Sequence, residues 1–422
     1  MMVDVLIKDI SQMVTMKGSN GPRRGKDMRE VHLIEDGWIA IKGDKIVAVG
    51  SGLMEENLKI GKNTMVIDGK GKTVTPGLVD PHTHLVHGGS RENELALKLN
   101  GVPYLDILAQ GGGILSTVKA TRKATVEELM QQGKRSLDQM LSFGVTTVEV
   151  KSGYGLNTET ELKQLEVIRQ LNKEHPCDLV PTFMGAHAIP MEYKEDPDVF
   201  VDIVIDEMLP AVVERGLAEF CDVFCEKGVF TVAQSRRVLE AAREAGLKLR
   251  IHVDEIEALG GAELAAEMGA ITAEHLMVTS EEDMKKMAKA GVIAALLPGT
   301  SFNLMVGKYA QARKMIDYGV PITLSTDYNP GSCPTENIQF IMTLGCLAMK
   351  MTPEEVFTAV TINGAAAVDR QGDIGSLEVG KKADVVIFNA PNINYIPYHF
   401  GINHVDKVLK NGKLVVDKGR VI

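Results

Sequence analysis

Basic charge is in short supply in this chain: 46 Lys and Arg stand against 56 Asp and Glu, a net charge of −10. A nucleic-acid or anionic-membrane partner needs a basic face, so neither is expected. An anionic small molecule is still open, because one arginine in a pocket can serve it. Cysteine is sparse too. The five, Cys177, Cys221, Cys225, Cys333 and Cys346, are odd in number and contain no Cys-x-x-Cys. That argues against a disulfide framework and for a reducing compartment. Cys221 and Cys225 sit in a short strand-like run and read as core, not as metal ligands. No uncharged apolar stretch reaches the ~18 residues that span a bilayer, and the N-terminal residues lack a charged-then-apolar signal pattern. A cytoplasmic protein is the expectation. Repeats and low-complexity tracts are missing. Gly111-Gly112-Gly113 lacks the Lys-Ser/Thr of a phosphate loop and reads as a flexible active-site loop.

What the chain does have is alternation. Residues 1 to about 75 read as short strands (3–7, 37–42, 45–49 and 65–68) with Gly43-Asp44 as a hairpin turn. The last fifty residues return to that style at 383–388, 405–409 and 413–416. Between these β-rich ends lie eight apolar β-runs: 78–80, 146–150, 179–183, 221–224, 247–253, 270–273, 292–297 and 322–325. Segments with helical spacing, such as 125–143, 159–173, 233–245, 260–268, 280–290 and 311–318, separate most of them. Eight runs over roughly 250 residues match a (β/α)8 TIM-like barrel with parallel strands. Both ends together then form a small β-sandwich domain, residues 1–75 plus 376–422, around a barrel of residues 76–375. Three Gly-rich insertions, 86–115, 152–156 and 298–307, are the candidate functional loops.

The chemistry-bearing residues follow the β-runs, where a barrel of this kind keeps its active site. Pro81-His82-Thr83-His84 ends the first run. Side chains two apart on a strand share a face, so His82 and His84 aim two imidazoles into one volume, as a divalent metal requires. Later runs end in Lys151-Ser152-Gly153-Tyr154-Gly155, Gly185-Ala186-His187-Ala188, Glu226-Lys227-Gly228, His252-Val253-Asp254-Glu255, Glu274-His275 and Thr326-Asp327-Tyr328-Asn329-Pro330-Gly331. Six of the ten histidines (82, 84, 87, 187, 252 and 275) gather there. His32, His87, His175, His399 and His404 receive no role.

Histidines on the first, fifth and sixth runs and an Asp on the eighth, opened by Thr75-Pro76-Gly77-Leu78-Val79-Asp80-Pro81-His82-Thr83-His84, resemble the amidohydrolase superfamily. The loops Gly88-Gly89-Ser90-Arg91-Glu92, Ala109-Gln110-Gly111-Gly112-Gly113-Ile114, Lys151-Ser152-Gly153-Tyr154-Gly155 and Met184-Gly185-Ala186-His187-Ala188 are similar to one branch of it, essentially end to end. That branch opens the cyclic amide of 4-imidazolone-5-propanoate to N-formimidoyl-L-glutamate in histidine degradation. The resemblance implies His82, His84, His252 and Asp327 as ligands of one zinc or iron ion per chain. A two-metal site would need a bridging carboxylated lysine ending the fourth run. Lys227 falls past that position and Lys151 is on the wrong run, so one metal is expected. The resemblance also implies Glu255 at the substrate ring and His275 beside the attacking water, with Glu255, His275 and Asp327 as proton-handling candidates. Arg91 would take the substrate carboxylate, and Tyr154 and His187 the ring. Asn329, Gly331 and Ser332 would offer amide and hydroxyl groups to the product's carboxylate. Asp254 either orients His252 or caps a helix. Cys333 is left without a role. A homodimer is implied by the resemblance alone. Two other functions compete: an amidohydrolase-type purine or pyrimidine deaminase, which would not need Arg91, and a non-catalytic barrel scaffold, which would typically have lost its ligands.

Overall fold

A computed structural model describes residues 1–19, 21–53, 58–102 and 112–422. Gly111 of the glycine triplet lies outside the described residues, as do Ala109 and Gln110. Eight parallel strands form one sheet: β1 (Leu78–Asp80), β2 (Val145–Lys151), β3 (Asp178–Ala186), β4 (Phe220–Cys225), β5 (Lys248–Val253), β6 (Thr272–His275), β7 (Ile293–Leu296) and β8 (Ile322–Leu324). Each pairs with its sequence neighbour. Helices cross between most of them, and their starts are set by local chemistry. Thr125 with Glu128 and Thr231 with Gln234 make reciprocal caps on Val126–Ser142 and Val232–Glu244, satisfying backbone donors that a helix N-terminus otherwise leaves orphaned.

Closure of the sheet into a barrel combines side-chain bonds with a short main-chain link, in which Asp327 N donates to His82 O at 3.2 Å. Past the end of β1 and β8 there is a single bridge, Thr83 to Tyr328, supported by His84 N donating to Tyr328 O at 2.8 Å. Below it, the Asp80 carboxylate accepts from Thr326 N at 3.1 Å, from Thr326 Oγ1 at 2.6 Å and from Ser325 Oγ. Burial pushes the Asp80 carboxyl up to about 6, against the pull of those hydrogen bonds.

The ends of the chain build two further sheets. One has four strands, Lys45–Ser51, Gly37–Lys42, Met2–Ile10 and Lys59–Asp68. The other has seven and mixes both termini, pairing Val385–Phe388 with Thr73–Pro76 and with Val405–Lys410. Val5, Ile7, Ile39 and Ile41 of the first sheet meet Val74, Val385, Ile387 and Leu409 of the second in a common apolar core. This is the expected sandwich, and the hairpin at residues 43–44 joins the two strands foreseen for it.

Two details differ from the sequence reading. The sixth strand begins at Thr272, two residues late. Gly269 ends the preceding helix in the left-handed region and Ala270 N still bonds back to Ala265 O. The insertion at 298–307 is not simply a loop. Pro298, with its φ already fixed, starts a short helix, Pro298–Asn303, inside it. Among the described residues, no helix is long and apolar enough to cross a membrane.

Candidate functional site

The strand alternation decides what faces the barrel axis. On β2, Val148 and Val150 join the apolar core. Glu149 and Lys151, between and after them, turn inward and are fully buried. The same rule sends Asp80 and His82, Asp222, Arg250 and His252, and Glu274 to the interior. Lys151 Nζ lies 3.0 Å from Glu149 Oε1, 2.8 Å from Asp222 Oδ2 and 3.2 Å from Glu274 Oε2. Arg250 Nη2 is 2.8 Å from Glu274 Oε1, and Nη1 donates to Ala367 O at 2.9 Å.

Directly above this charged floor stand the histidines. His82 Nδ1 is 2.6 Å from Glu274 Oε2, and His252 Nδ1 is 3.0 Å from Asp222 Oδ1. His82 Nδ1 approaches Glu274 closely without hydrogen-bond alignment, whereas His252 is oriented from below by a hydrogen bond through Nδ1. Carboxylates orient metal-binding histidines in this way. His82 Nε2 is 3.2 Å and His84 Nε2 3.7 Å from Asp327 Oδ1. The ligand atoms of His82, His84 and Asp327 lie within 4.8 Å of one another, and so do those of His82, His252 and His275. His82 is common to both groups, which between them contain the four residues expected as ligands and His275.

The donor set fits a cation. His252 Nε2 and His82 Nε2 are buried without an aligned hydrogen-bond partner among the described residues, a costly state unless something else binds them. Burial drives His84 and His252 well below the usual histidine range, toward the neutral form that ligates. His82 is opposite: burial, the largest influence, lowers it, but the Glu274 charge together with hydrogen bonding to Asp327 and Glu274 raises it to about 9. A field that favours a proton there favours a metal ion as well. Burial also opposes ionisation of Asp327, yet the facing His82 keeps it down at about 2. Asp327 Oδ2 accepts from Thr300 Oγ1, on the short helix of the third insertion.

Around this centre the other expected residues take their places. Glu255 Oε2 is 3.7 Å from His275 Nε2, and burial lifts the Glu255 carboxyl above its ordinary range. His187 stacks on His84 with ring centroids 4.7 Å apart and 5.3 Å from Tyr154. Its Nδ1 donates to Gly153 O at 3.0 Å, leaving Nε2 as the acceptor of the neutral ring. Burial, then His252, lowers His187 to about 3. Arg91 is 9% exposed and pairs with Glu94 through Nε at 3.1 Å and Nη2 at 3.1 Å. Its Nη1 packs against Gly331, where a β-carbon would fall 2.0 Å away. Asn329 spends its amide on its own turn: Oδ1 accepts from Gly331 N and Ser332 N at 2.9 and 2.7 Å, and Nδ2 donates to Asp327 O at 2.8 Å. Asn329, Gly331 and Ser332 shape the loop behind Asp327 and the seat of Arg91. Lys227 is exposed and paired with Glu257, away from the metal ligands.

Asp254 corrects the sequence reading. It neither orients His252 nor caps a helix. Its Oδ2 accepts from Thr279 Oγ1 at 2.8 Å, and Asp222 takes the His252 contact instead. Asp254, His275 and Asp327 all have positive φ (54°, 73° and 54°), conformations that L residues adopt at a cost and that gather at functional sites. Sequence reasoning missed Asp222, Glu274, Glu149, Arg250 and Thr300. The available signal was a charged residue two positions before a ligand-type one within an apolar strand, as in Asp80–His82 and Arg250–His252. His87, given no role, is buried beside Tyr154 and Tyr328.

Comparison with known proteins points the same way. A profile of the amidohydrolase family matches residues 73–415. The chain is 67% identical to an imidazolonepropionase of Alkaliphilus oremlandii (strain OhILAs) and 56% identical to one of Streptococcus pyogenes serotype M6, each over 422 residues and 100% of both chains. Among solved structures, an adenosine deaminase from Xanthomonas campestris with bound zinc superposes with a TM-score of 0.74 at 19% identity, covering 100% of this chain and 94% of that one. A mutant atrazine chlorohydrolase of Arthrobacter aurescens TC1, complexed with zinc and atraton, gives 0.69 at 19% identity, covering 99% and 96%. At such identities these two show the shared fold.

Proposed function

This chain belongs to the amidohydrolase family, among the imidazolonepropionases, and from that premise we propose how it hydrolyses the cyclic amide of 4-imidazolone-5-propanoate to N-formimidoyl-L-glutamate. One observation carries the reading: an intact set of ligand-type residues converges at one barrel mouth in a chain that matches an imidazolonepropionase end to end. His82, His84, His252 and Asp327 would hold one zinc or iron ion. When bound, such an ion supplies Lewis acidity, lowering the pKa of water and polarising a carbonyl.

The rest is the work of the chain. Glu255 takes a proton from the attacking water and passes it to the ring nitrogen that leaves as the C–N bond opens. Its half-buried carboxyl, raised by desolvation, suits exchange of a proton nearer neutrality than a surface glutamate could manage. His275 stands beside Glu255 and shares the handling of that proton with Asp327. Arg91 grips the propionate, with Glu94 holding the guanidinium in place and Gly331 leaving room for it. His187 offers Nε2 as an acceptor to the ring and Tyr154 a hydroxyl. Asn329, Gly331 and Ser332, hydrogen-bonded to one another, shape the turn that seats Arg91 at the carboxylate end. The substrate is thus a small anionic molecule, and the setting is cytoplasmic. We further take residues 1–75 with 376–422 as one structural unit and 76–375 as the other, on the strength of the apolar core shared by the two chain ends.

Purified protein, its metal measured by elemental analysis, is expected to consume imidazolone propionate, followed as loss of ultraviolet absorbance. Glu255→Gln keeps size and hydrogen bonding but cannot accept a proton. It should retain the ion and lose ~10² to 10⁴ in kcat, the usual share of a general acid–base group. His275→Asn, measured alongside from pH 6 to 9, should cost less. The reverse order would move the main base to His275, and a metal-loaded protein that leaves the substrate untouched would sink the reading.

A further inference from the structure

Glu226, just past β4, is 1% exposed and plays no part in the chemistry above. Its carboxylate is nonetheless saturated. Oε2 accepts from Glu255 N at 3.0 Å and Ile256 N at 2.9 Å. Oε1 accepts from Glu257 N at 3.1 Å and Lys227 N at 2.8 Å. Three of these four donors belong to the segment that leaves β5, so a side chain from one strand end ties down the loop of the next. Its own backbone is anchored as well: Glu226 N donates to Phe230 O at 3.1 Å, and Val229 N to Glu226 O at 3.0 Å. An ionised carboxylate accepts only, and bonds from backbone amides to it are charge-assisted and strong.

The loop needs such a tether. Asp254 turns the chain through φ 54°, a conformation with little intrinsic favour. Val278 N bonds to Asp254 O at 3.0 Å on one side, and Glu226 holds the other from Glu255 onward. We propose that Glu226 is a positioning residue for the hydrolysis: it fixes the backbone of Glu255 and thereby the point at which the Glu255 carboxylate meets water. This rests on the reading of Glu255 as the proton-transferring group. A misplacement of about 1 Å in a reacting group can cost ~10²-fold in rate.

The test is a double-mutant cycle on the metal-loaded enzyme. Glu226→Gln keeps the size but turns an NH2 group toward amides that also donate. It should lower kcat by about 10- to 100-fold, with KM within about threefold and metal content unchanged. Placed in the Glu255→Gln background, the same change should cost less than about threefold, because a displaced side chain that cannot take a proton has little left to lose. Wild-type kcat in Glu226→Gln, or an equal loss in both backgrounds, overturns the proposal. Hydrogen exchange gives a second readout free of turnover. The amides of Glu255, Ile256 and Glu257 should exchange faster in Glu226→Gln, beyond any change shared by the other barrel strands, and unchanged exchange also overturns it. A small effect of Glu255→Gln alone would defeat the assignment of the base instead, leaving the tether to be judged by those three amides.

Discussion

The barrel axis and the sandwich core are both buried interiors of one chain, yet they are filled with opposite materials. Between the two terminal sheets the packed residues are Val, Ile, Leu, Met and Ala. Along the barrel axis below the site are Asp80, Glu149, Lys151, Asp222, Arg250 and Glu274, all fully buried. A core of the first kind is set by volume and apolar area, with each side chain contributing separately. A core of the second kind is stable only while every charge keeps its partners, since an ion left alone in a low dielectric is very costly. The sandwich holds the chain ends together. The barrel axis also decides how His82 and His252 are presented, so its expense is tied to function.

The sharpest way to break this contrast is Lys151→Met. The apolar side chain fits the space but leaves Glu149, Asp222 and Glu274 facing one another. Stability should fall by about 3–5 kcal/mol, the cost of orphaning a buried charge, and bound metal should fall with it because two of the three acids contact histidines. Thermal unfolding and elemental analysis of the same preparation check both. A next smaller effect is expected in the sandwich. Ile387→Ala opens a cavity worth about 2–4 kcal/mol of stability, while kcat and metal content stay at wild-type values. A drop in kcat there would mean the two interiors are coupled more closely than their fillings suggest. The smallest change tests the edge of the charged region. Thr300→Val removes the hydroxyl donated to Asp327 and keeps the shape. Metal affinity should weaken about 10- to 100-fold, as when an outer partner of a ligand is lost, with stability altered by less than the other two.

The alternation of strand and helix, the sandwich built from both ends and the row of residues at strand ends were legible in the sequence, because period-2 and helical spacing report burial directly. His82, His84, His252 and Asp327 stand at the ends of apolar runs, and the family resemblance names them as ligands. Their supports it leaves unnamed. In the sequence Asp222 and Glu274 are polar interruptions of a strand, and only the closure of the sheet shows that they meet Lys151 across the axis. Asp254 lies two residues from His252 in sequence, yet Asp222 on the neighbouring strand is the residue 3.0 Å from that histidine, and only the strand pairing shows this. Arg91 could be picked out by type, but its pairing with Glu94 and the space beside Gly331 depend on a loop's path.

The seam between the first and last strands carries one more consequence. It is joined by one bridge and by bonds to Asp80 rather than by a full ladder, so it is the line along which the cylinder would open. His82 and His84 stand on one lip of that line and Asp327 on the other. An ion gripped by all three is also a clasp, closing the ring where the backbone does it least. Loading should therefore be visible to a thermometer as well as to an assay, with chelation loosening the whole cylinder from that edge while the terminal sheets keep their own cohesion.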